Sequence, residues 1–247
     1  MSYEHFYQFY DQLMNDVNYK DYLQLVKSYA KNKDAILDIG CGTGNVLVPL
    51  LEAGYYVDGL DISDEMLSVT KEKCESKNLK AYLFQDDMKD IAIKNSYNII
   101  ISFLDTINYL KTKKDLKEAF TNIYGALKAD GIFIFDVHSL YKVHNVFDGY
   151  SYNETNDYCT YLWNTFVERH ESYSSLYQEL SFFIKKNYNL YQRFDEYHEQ
   201  VIFPLYEYKT ILEETGFRIE EIFFDFDSSK NEHNCDKIII VAKKYIL

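Results

Sequence analysis

Three glycines fall within five residues of "ILDIGCGTG" (36–44), at positions 40, 42 and 44, just after Asp38. An aliphatic run precedes them and the helix-like stretch "NVLVPLLEAG" follows. Gly40 and Gly42 permit a tight turn and leave no Cβ in the way of a ligand. A helix start behind them offers free N–H groups and a positive dipole end, which suits a carboxylate or a phosphate. In an open α/β sheet, ligands bind beyond the carboxyl ends of the strands, where this turn falls. The spacing here is G-x-G-x-G, with Asn45 next. The nicotinamide fingerprint is G-x-G-x-x-G, so the pattern counts against a dinucleotide-dependent oxidoreductase.

Such a turn needs a sheet to hold it. Short apolar runs that read as strands occur at 35–40, 55–61, 80–86, 97–104 and 132–138. Between them lie helical patterns at 45–54, 63–78 and 112–131, the second with Ser63 as N-cap and acidic residues in its first turn. A helix at 204–216 and two strands, "FRIEEIFFDF" and "KIIIVAKKYIL", close the chain. Alternating strands and helices predict a mostly parallel sheet covered on both faces. Residues 140–203 break the rhythm: "CTYLWNTFVE" and "SLYQELSFFIKK" read as antiparallel strands inserted after strand five. The first 30 residues read as a helical cap, with Phe6, Phe9, Tyr10, Leu13 and Met14 at near-helical spacing.

Composition narrows the class. A chain of 247 residues, 47% hydrophobic and 26% charged, suits a globular protein with a sizeable core. No apolar run approaches the ~18 to 20 residues of a membrane helix. No basic n-region leads into an apolar stretch at the start. Cys41, Cys74, Cys159 and Cys235 follow no metal-like spacing and are expected to be reduced thiols in a cytoplasmic protein. The net charge of −13 opposes a phosphate backbone, so no nucleic-acid partner is expected. No heptad or apolar surface stripe stands out, and a monomer is expected. The 25 tyrosines are read as coding bias, with rings packed in sheets, and so name no ligand.

The pattern "LDIGCGTG" resembles motif I of the class I S-adenosylmethionine-dependent methyltransferases. Asp61 at the end of strand two, "QDDM" (85–88) after strand three and "YNIIISFLDTINYL" at strand four extend the likeness. It covers most of 1–139 and 204–247. The resemblance implies a Rossmann-like, seven-stranded, mostly parallel sheet with helices on both faces, plus an antiparallel β lid at 140–203 over the acceptor. It also implies S-adenosylmethionine as cofactor. Gly40, Gly42 and Gly44 would shape the pocket for the methionine moiety, and Asp38 would hold its amino group directly or through water. Asp61 would bind ribose, and Ile62 would cover one adenine face. Asp87 would accept from the adenine amino group, with adjacent Asp86 the other candidate, and the Met88 amide would lie near the ring. Phe103 or Leu104 would lie along the cofactor, and Tyr10 and Tyr22 would close over it.

Methyl transfer is an in-line displacement at an activated carbon. The protein aligns a nucleophile and excludes water, and a base is needed only if the nucleophile arrives protonated. Past strands four and five lie Asp105, Asn108, Tyr109 and His138. His138 is expected to face the cleft and, with Tyr109, to serve the chemistry. Asp105, Asn108 and Trp163 are expected to bind substrate, and His198 in "DEYHEQ" to be structural. The [D/N/S]-P-P-[Y/F] motif of base-modifying enzymes and a Pro-Cys nucleophile are both missing. The N-terminal "FYQFYDQLMNDVNY", "FDVHS" and the insertion are similar to small-molecule enzymes of the amino-sugar N-methyltransferase type. The implied acceptor is a small-molecule amine. The competing reading is a sensor that binds the cofactor without catalysis.

Overall fold

The computed structural model describes residues 17–186 and 190–245. After helix α1 (Tyr19–Tyr29), the chain alternates β1 (Ala35–Ile39), α2 (Leu47–Glu52), β2 (Tyr56–Asp61), α3 (Asp64–Ser76), β3 (Leu83–Gln85) and β4 (Tyr97–Ser102). A 3-10 turn (Thr106–Tyr109), α4 (Lys113–Ala126) and β5 (Leu127–His138) follow. A short helical stretch at 140–147 leads into β6 (Ser151–Thr155), β7 (Cys159–Arg169), β8 (Ser174–Lys185) and β9 (Tyr191–Ile202). The chain then returns through α5 (Leu205–Glu214), β10 (Phe217–Phe224) and β11 (Lys237–Lys244).

The main sheet has seven strands in the order β10-β11-β5-β4-β1-β2-β3. β1 to β5 pair in parallel, and β11 runs antiparallel to both its neighbours. This is the mostly parallel, Rossmann-like sheet expected from the alternation. Successive residues of a strand point to opposite faces. Leu37, Ile100, Phe133 and Phe135 pack with α4 and α5, while Ile36, Ile99, Ile101 and Ile134 pack with α1, α2 and α3. Burial on both faces is why these strands read as continuous aliphatic runs.

Local signals set the helix starts. Ser63 accepts from the Met66 N–H and caps α3, while Thr112 and Asp115 form a capping box on α4. The end of α4 departs from expectation. The helix stops at Ala126, and β5 begins at Leu127 instead of residue 132. Lys244, far along the chain, donates from Nζ to the carbonyls of Tyr124 and Leu127 and so satisfies the last turn. The extra residues form an irregularity: Tyr97 pairs with Leu127 and Ile99 with Ile132, with Asp130 at positive φ between them. β3 is also shorter than the expected 80–86.

The segment after β5 builds a second, antiparallel sheet in the order β6-β7-β8-β9. It is tied to the main sheet close to the carboxyl end of β4. Asn108 Nδ2 donates to the Val201 carbonyl at 3.2 Å, and Lys111 pairs with Glu199. Leu176 and Ile202 pack under Val143 and Phe147 of the helical stretch, with Trp163 and Val167 against them. Among the described residues, no helix is long and apolar enough to cross a membrane.

Candidate active site

The glycine turn is held by backbone bonds. Gly40 and Cys41 donate to the Leu60 carbonyl at 2.7 and 3.1 Å, and Gly44 donates to Cys41 at 2.9 Å. Gly40 and Gly42 take φ of +71° and +53°, where L side chains are strained. A Cβ on Gly40 would stand 2.4 Å from Thr106 Cγ2, whereas one on Gly42 would meet no atom of the described residues within 4 Å. Gly42 therefore presents bare backbone to open space. A Cβ on Gly44 would strike Thr70, so this glycine serves the packing of α3 against the turn.

Two carboxylates sit beside the turn. Asp61 accepts from the Gly42 N–H at 2.8 Å and the Ser63 N–H at 2.9 Å, so its oxygens are fixed by the backbone. Burial raises Asp61, and the N–H groups of Ser63, Gly42 and Ile62 oppose that rise. Asp38 is 3% exposed. Burial first, and the Asp61 charge second, push it up to about 8. A buried acid with no cation beside it among the described residues favours a cationic ligand, whose arrival would restore the carboxylate.

These groups line one cavity of about 750 Å³, within the range of roughly 300–1,000 Å³ for small-molecule sites. Gly40, Gly42, Asp38 and Asp61 form one part of its wall, joined by Ile62, Asp86, Asp87 and Met88. Ile62 is 69% exposed, apolar surface that a flat ring would cover. Asp87 is engaged by Lys89, whose N–H donates to Oδ1 at 2.9 Å and whose ammonium lies 3.5 Å from Oδ2. Phe103, Leu104, Thr106, Tyr109, Leu110 and Lys111 continue the wall beyond β4, and Glu196 and His198 of β9 complete it.

Leu104 and Asp105 are consecutive non-glycine residues at positive φ, +58° and +64°. Such strain persists only where the surroundings over-determine it. Here the Asp105 N–H donates to Asp136 Oδ1 at 3.1 Å, and Thr106 Oγ1 donates to the Phe103 carbonyl at 2.8 Å. The Asp105 carboxylate lies 3.1 Å from His138 Nε2 and 3.2 Å from Lys237 Nζ. The turn aims the Leu104 side chain at the cavity and the Asp105 side chain away from it.

Several expected site residues therefore lie elsewhere. His138 does not reach the cleft: its ring is buried, edge-on to Phe147, with Nε2 toward Asp105. Asn108 is fully buried; it accepts from the His138 N–H and donates to Val201 and Tyr208, so none of its capacity faces the cavity. Asp105 faces Lys237 and His138 instead of the cleft. Trp163 packs on Phe147 and Tyr150 and donates to Gln178. Tyr22 is buried behind Phe103, and its hydroxyl donates to Asp136 at 2.7 Å. Tyr10 lies outside the described residues. Glu196 lines the cavity without being among the expected residues, and so does His198, which the sequence suggests is structural. Their spacing of two, on one face of a strand, was the available signal.

A methyltransferase-domain family model matches residues 36–131. "Putative methyltransferase YqeM" of Bacillus subtilis is 34% identical over 99% of this chain and 98% of its own length. The chain belongs to the class I S-adenosylmethionine-dependent methyltransferases. A crystal structure of such a methyltransferase from Clostridium acetobutylicum superposes with a TM-score of 0.84 at 30% identity, over 98% of both chains. A more distant relative, dTDP-3-amino-3,4,6-trideoxy-alpha-D-glucopyranose N,N-dimethyltransferase of Streptomyces venezuelae, is 27% identical over 46% of each chain. The methyltransferase uses S-adenosylmethionine as cofactor. Its cavity fits that molecule: bare backbone at Gly42, an acid beside it that a cation would ionise, and an open apolar surface at Ile62.

Proposed function

We propose that this methyltransferase acts on the amine of a small molecule, bound where the turn after β4 meets β9. The observation that carries the reading is one continuous cavity whose wall runs from Gly42 and Asp61 to Tyr109, Glu196 and His198. One part suits the cofactor. The other is polar and includes a carboxylate, Glu196, which suits an ammonium. The Streptomyces relative, named for N-methylation of an amino sugar, supports the same reading.

In this reading Asp38 holds the cofactor's amino group, directly or through water. Asp61 accepts from the ribose hydroxyls, and Ile62 and Met88 flank the adenine. Asp87 accepts from its amino group, and Phe103 and Leu104 lie along its length. The bound cofactor supplies a methyl group made electrophilic by its sulfonium. The chain's own part is to orient the acceptor and exclude water. Residues 140–203 then form the acceptor lid on a cofactor-binding domain of 1–139 and 204–247. A monomer suffices, since both parts come from one chain.

The test has two arms. Calorimetry compares S-adenosylmethionine with NAD; binding of the first alone is expected. Methyl-labelled cofactor is then offered with a panel of amino sugars, amino acids and alkyl amines, and with a low-mass metabolite extract. Label in an amine supports the proposal. Label only in hydroxyl or carboxyl products, or no transfer while the cofactor binds, overturns it.

A further inference from the structure

The turn after β4 joins the two parts of the cavity. Phe103, Leu104 and Thr106 line it together with Gly40 and Gly42, and Tyr109 lines it together with Glu196 and His198. Thr106 reaches the glycine turn so closely that a Cβ on Gly40 would collide with it. The spacing between the cofactor part and the acceptor part is therefore set by how these few residues are held.

The far end of the turn is fixed by β9. Asn108 donates to the Val201 carbonyl, the Tyr109 hydroxyl lies 3.0 Å from His198 Nδ1, and Lys111 pairs with Glu199. The near end carries the strain, with Leu104 and Asp105 both at positive φ. Asp105 answers it. Its N–H donates to Asp136 Oδ1 at 3.1 Å, and its carbonyl accepts from the Asn108 N–H at 2.9 Å. Its carboxylate lies 3.1 Å from His138 Nε2 and 3.2 Å from Lys237 Nζ. Asp136 and His138 stand at the end of β5, and Lys237 opens β11. Two strands of the main sheet thus fix a residue whose backbone would otherwise leave this conformation.

We propose that Asp105 is a positioning residue for methyl transfer: tied to Asp136, His138 and Lys237, it holds Leu104, Thr106 and Tyr109 where cofactor and acceptor meet, and acts through them. This rests on the reading of the cavity as the shared site of cofactor and acceptor, and does not depend on which acceptor atom is methylated. An in-line displacement needs the reacting atoms about 3–3.5 Å apart and aligned, and a misplacement of about 1 Å can cost about 10²-fold. Asp38, Gly42 and Asp61 reach the cofactor part from the ends of β1 and β2. Loosening the turn after β4 should therefore spoil alignment far more than cofactor binding.

Two variants of the full chain separate positioning from folding. Asp105→Gly takes positive φ without strain but has no carboxylate. Asp105→Asn tolerates positive φ and keeps a side-chain oxygen for His138 and Lys237. Amide exchange needs no acceptor. The N–H groups of Asn108 and Leu110, bonded to the carbonyls of Asp105 and Ile107, should exchange at least ~10-fold faster in Asp105→Gly and within about threefold of wild type in Asp105→Asn. The Gly40 and Gly44 amides should not change. Equal Asn108 and Leu110 exchange in Asp105→Gly and wild type overturns the proposal. Methyl transfer is then measured to whichever compound of the panel or extract takes the label. Asp105→Gly should lose at least ~10-fold in kcat, with cofactor affinity by calorimetry within about threefold, and Asp105→Asn should recover most of the loss. A loss confined to KM, or equal kcat losses in the two variants, overturns the positioning role. Label in a hydroxyl product overturns the amine reading alone, and the same comparison of kcat then decides Asp105. Cofactor binding with no transfer to any compound overturns both.

Discussion

Lys237 Nζ lies 3.0 Å from Asp136 Oδ2. Asp136 is fully buried at the carboxyl end of β5, and Lys237 opens the antiparallel strand beside it. The same ammonium is 3.2 Å from Asp105, and Tyr22 donates to the same Asp136 oxygen. Burial alone would lower Lys237, but Asp105 and Asp136 outweigh it and hold the ammonium well above its ordinary range. One lysine thus pairs with both carboxylates that clamp the strained turn at Leu104 and Asp105.

Lys237→Met should therefore strand two carboxylates in a dry site. Breaking a buried pair from one side costs about 3–5 kcal/mol. A drop of that size in the urea unfolding free energy is expected, with part of it recovered in Lys237→Met/Asp136→Asn. A loss below ~1 kcal/mol would mean that water reaches the cluster freely.

His138 sits in the same cluster, and burial, followed by the Lys142 and Lys237 charges, holds it well below the usual imidazole range. The folded ring stays neutral, while the unfolded chain takes up a proton near pH 6.5. Its contribution is therefore present above about pH 6.5 and is lost as pH falls below that value. The slope is at most about 1.4 kcal/mol per pH unit. Denaturant titrations between pH 7 and 5 should show this decline in wild type and a shallower one in His138→Gln. Equal slopes would remove His138 as the cause.

Asp38 works in the opposite sense. Its folded value of about 8 lies above the unfolded value of 3.8, so between these pH values the native state holds a proton that the unfolded chain has released. Its contribution weakens as pH rises across that window. Bound S-adenosylmethionine favours the carboxylate and should expel the proton, so affinity should rise with pH below about 8, by at most tenfold per unit. Calorimetry at pH 7 in two buffers of different ionisation heat should show proton release in wild type and little in Asp38→Asn. No release in wild type would separate Asp38 from the cofactor.

The main sheet was legible because its strands are buried on both faces, which writes aliphatic runs such as "ILDI" and "NIII" into the sequence. The glycine turn was legible because positive φ at Gly40 and Gly42 restricts residue type. What failed depended on distant partners. Gly131 looked like a helix stop, but Lys244, more than a hundred residues away in sequence, ends α4 at Ala126. His138 follows a strand that ends at the cleft, yet Phe147 folds back to cover its ring. Asn108 looked available until β9 and α5 supplied Val201 and Tyr208 as its partners. Glu196 and His198 carried a weak local signal, period two in a polar strand. Their meaning came only when β9 was laid against Tyr109.

Gly40 and Gly42 should respond differently to the same small change. Both need positive φ, and an alanine there costs about 1–2 kcal/mol. In Gly40→Ala the new Cβ would also press within 2.6 Å of both Thr106 Cγ2 and Oγ1, adding about 1–3 kcal/mol of overpacking. Its unfolding free energy should fall by several kcal/mol, with partial recovery in Gly40→Ala/Thr106→Ala. In Gly42→Ala the Cβ meets no atom of the described residues, so stability should fall only by the backbone term. That Cβ would, however, project into the space proposed for the methionine moiety of the cofactor. S-adenosylmethionine affinity should therefore drop at least ~10-fold, about 1.4 kcal/mol, while the protein stays folded. Calorimetry beside urea unfolding separates the two effects. A Gly42→Ala protein that binds the cofactor as tightly as wild type would mean that the ligand does not lie against this turn.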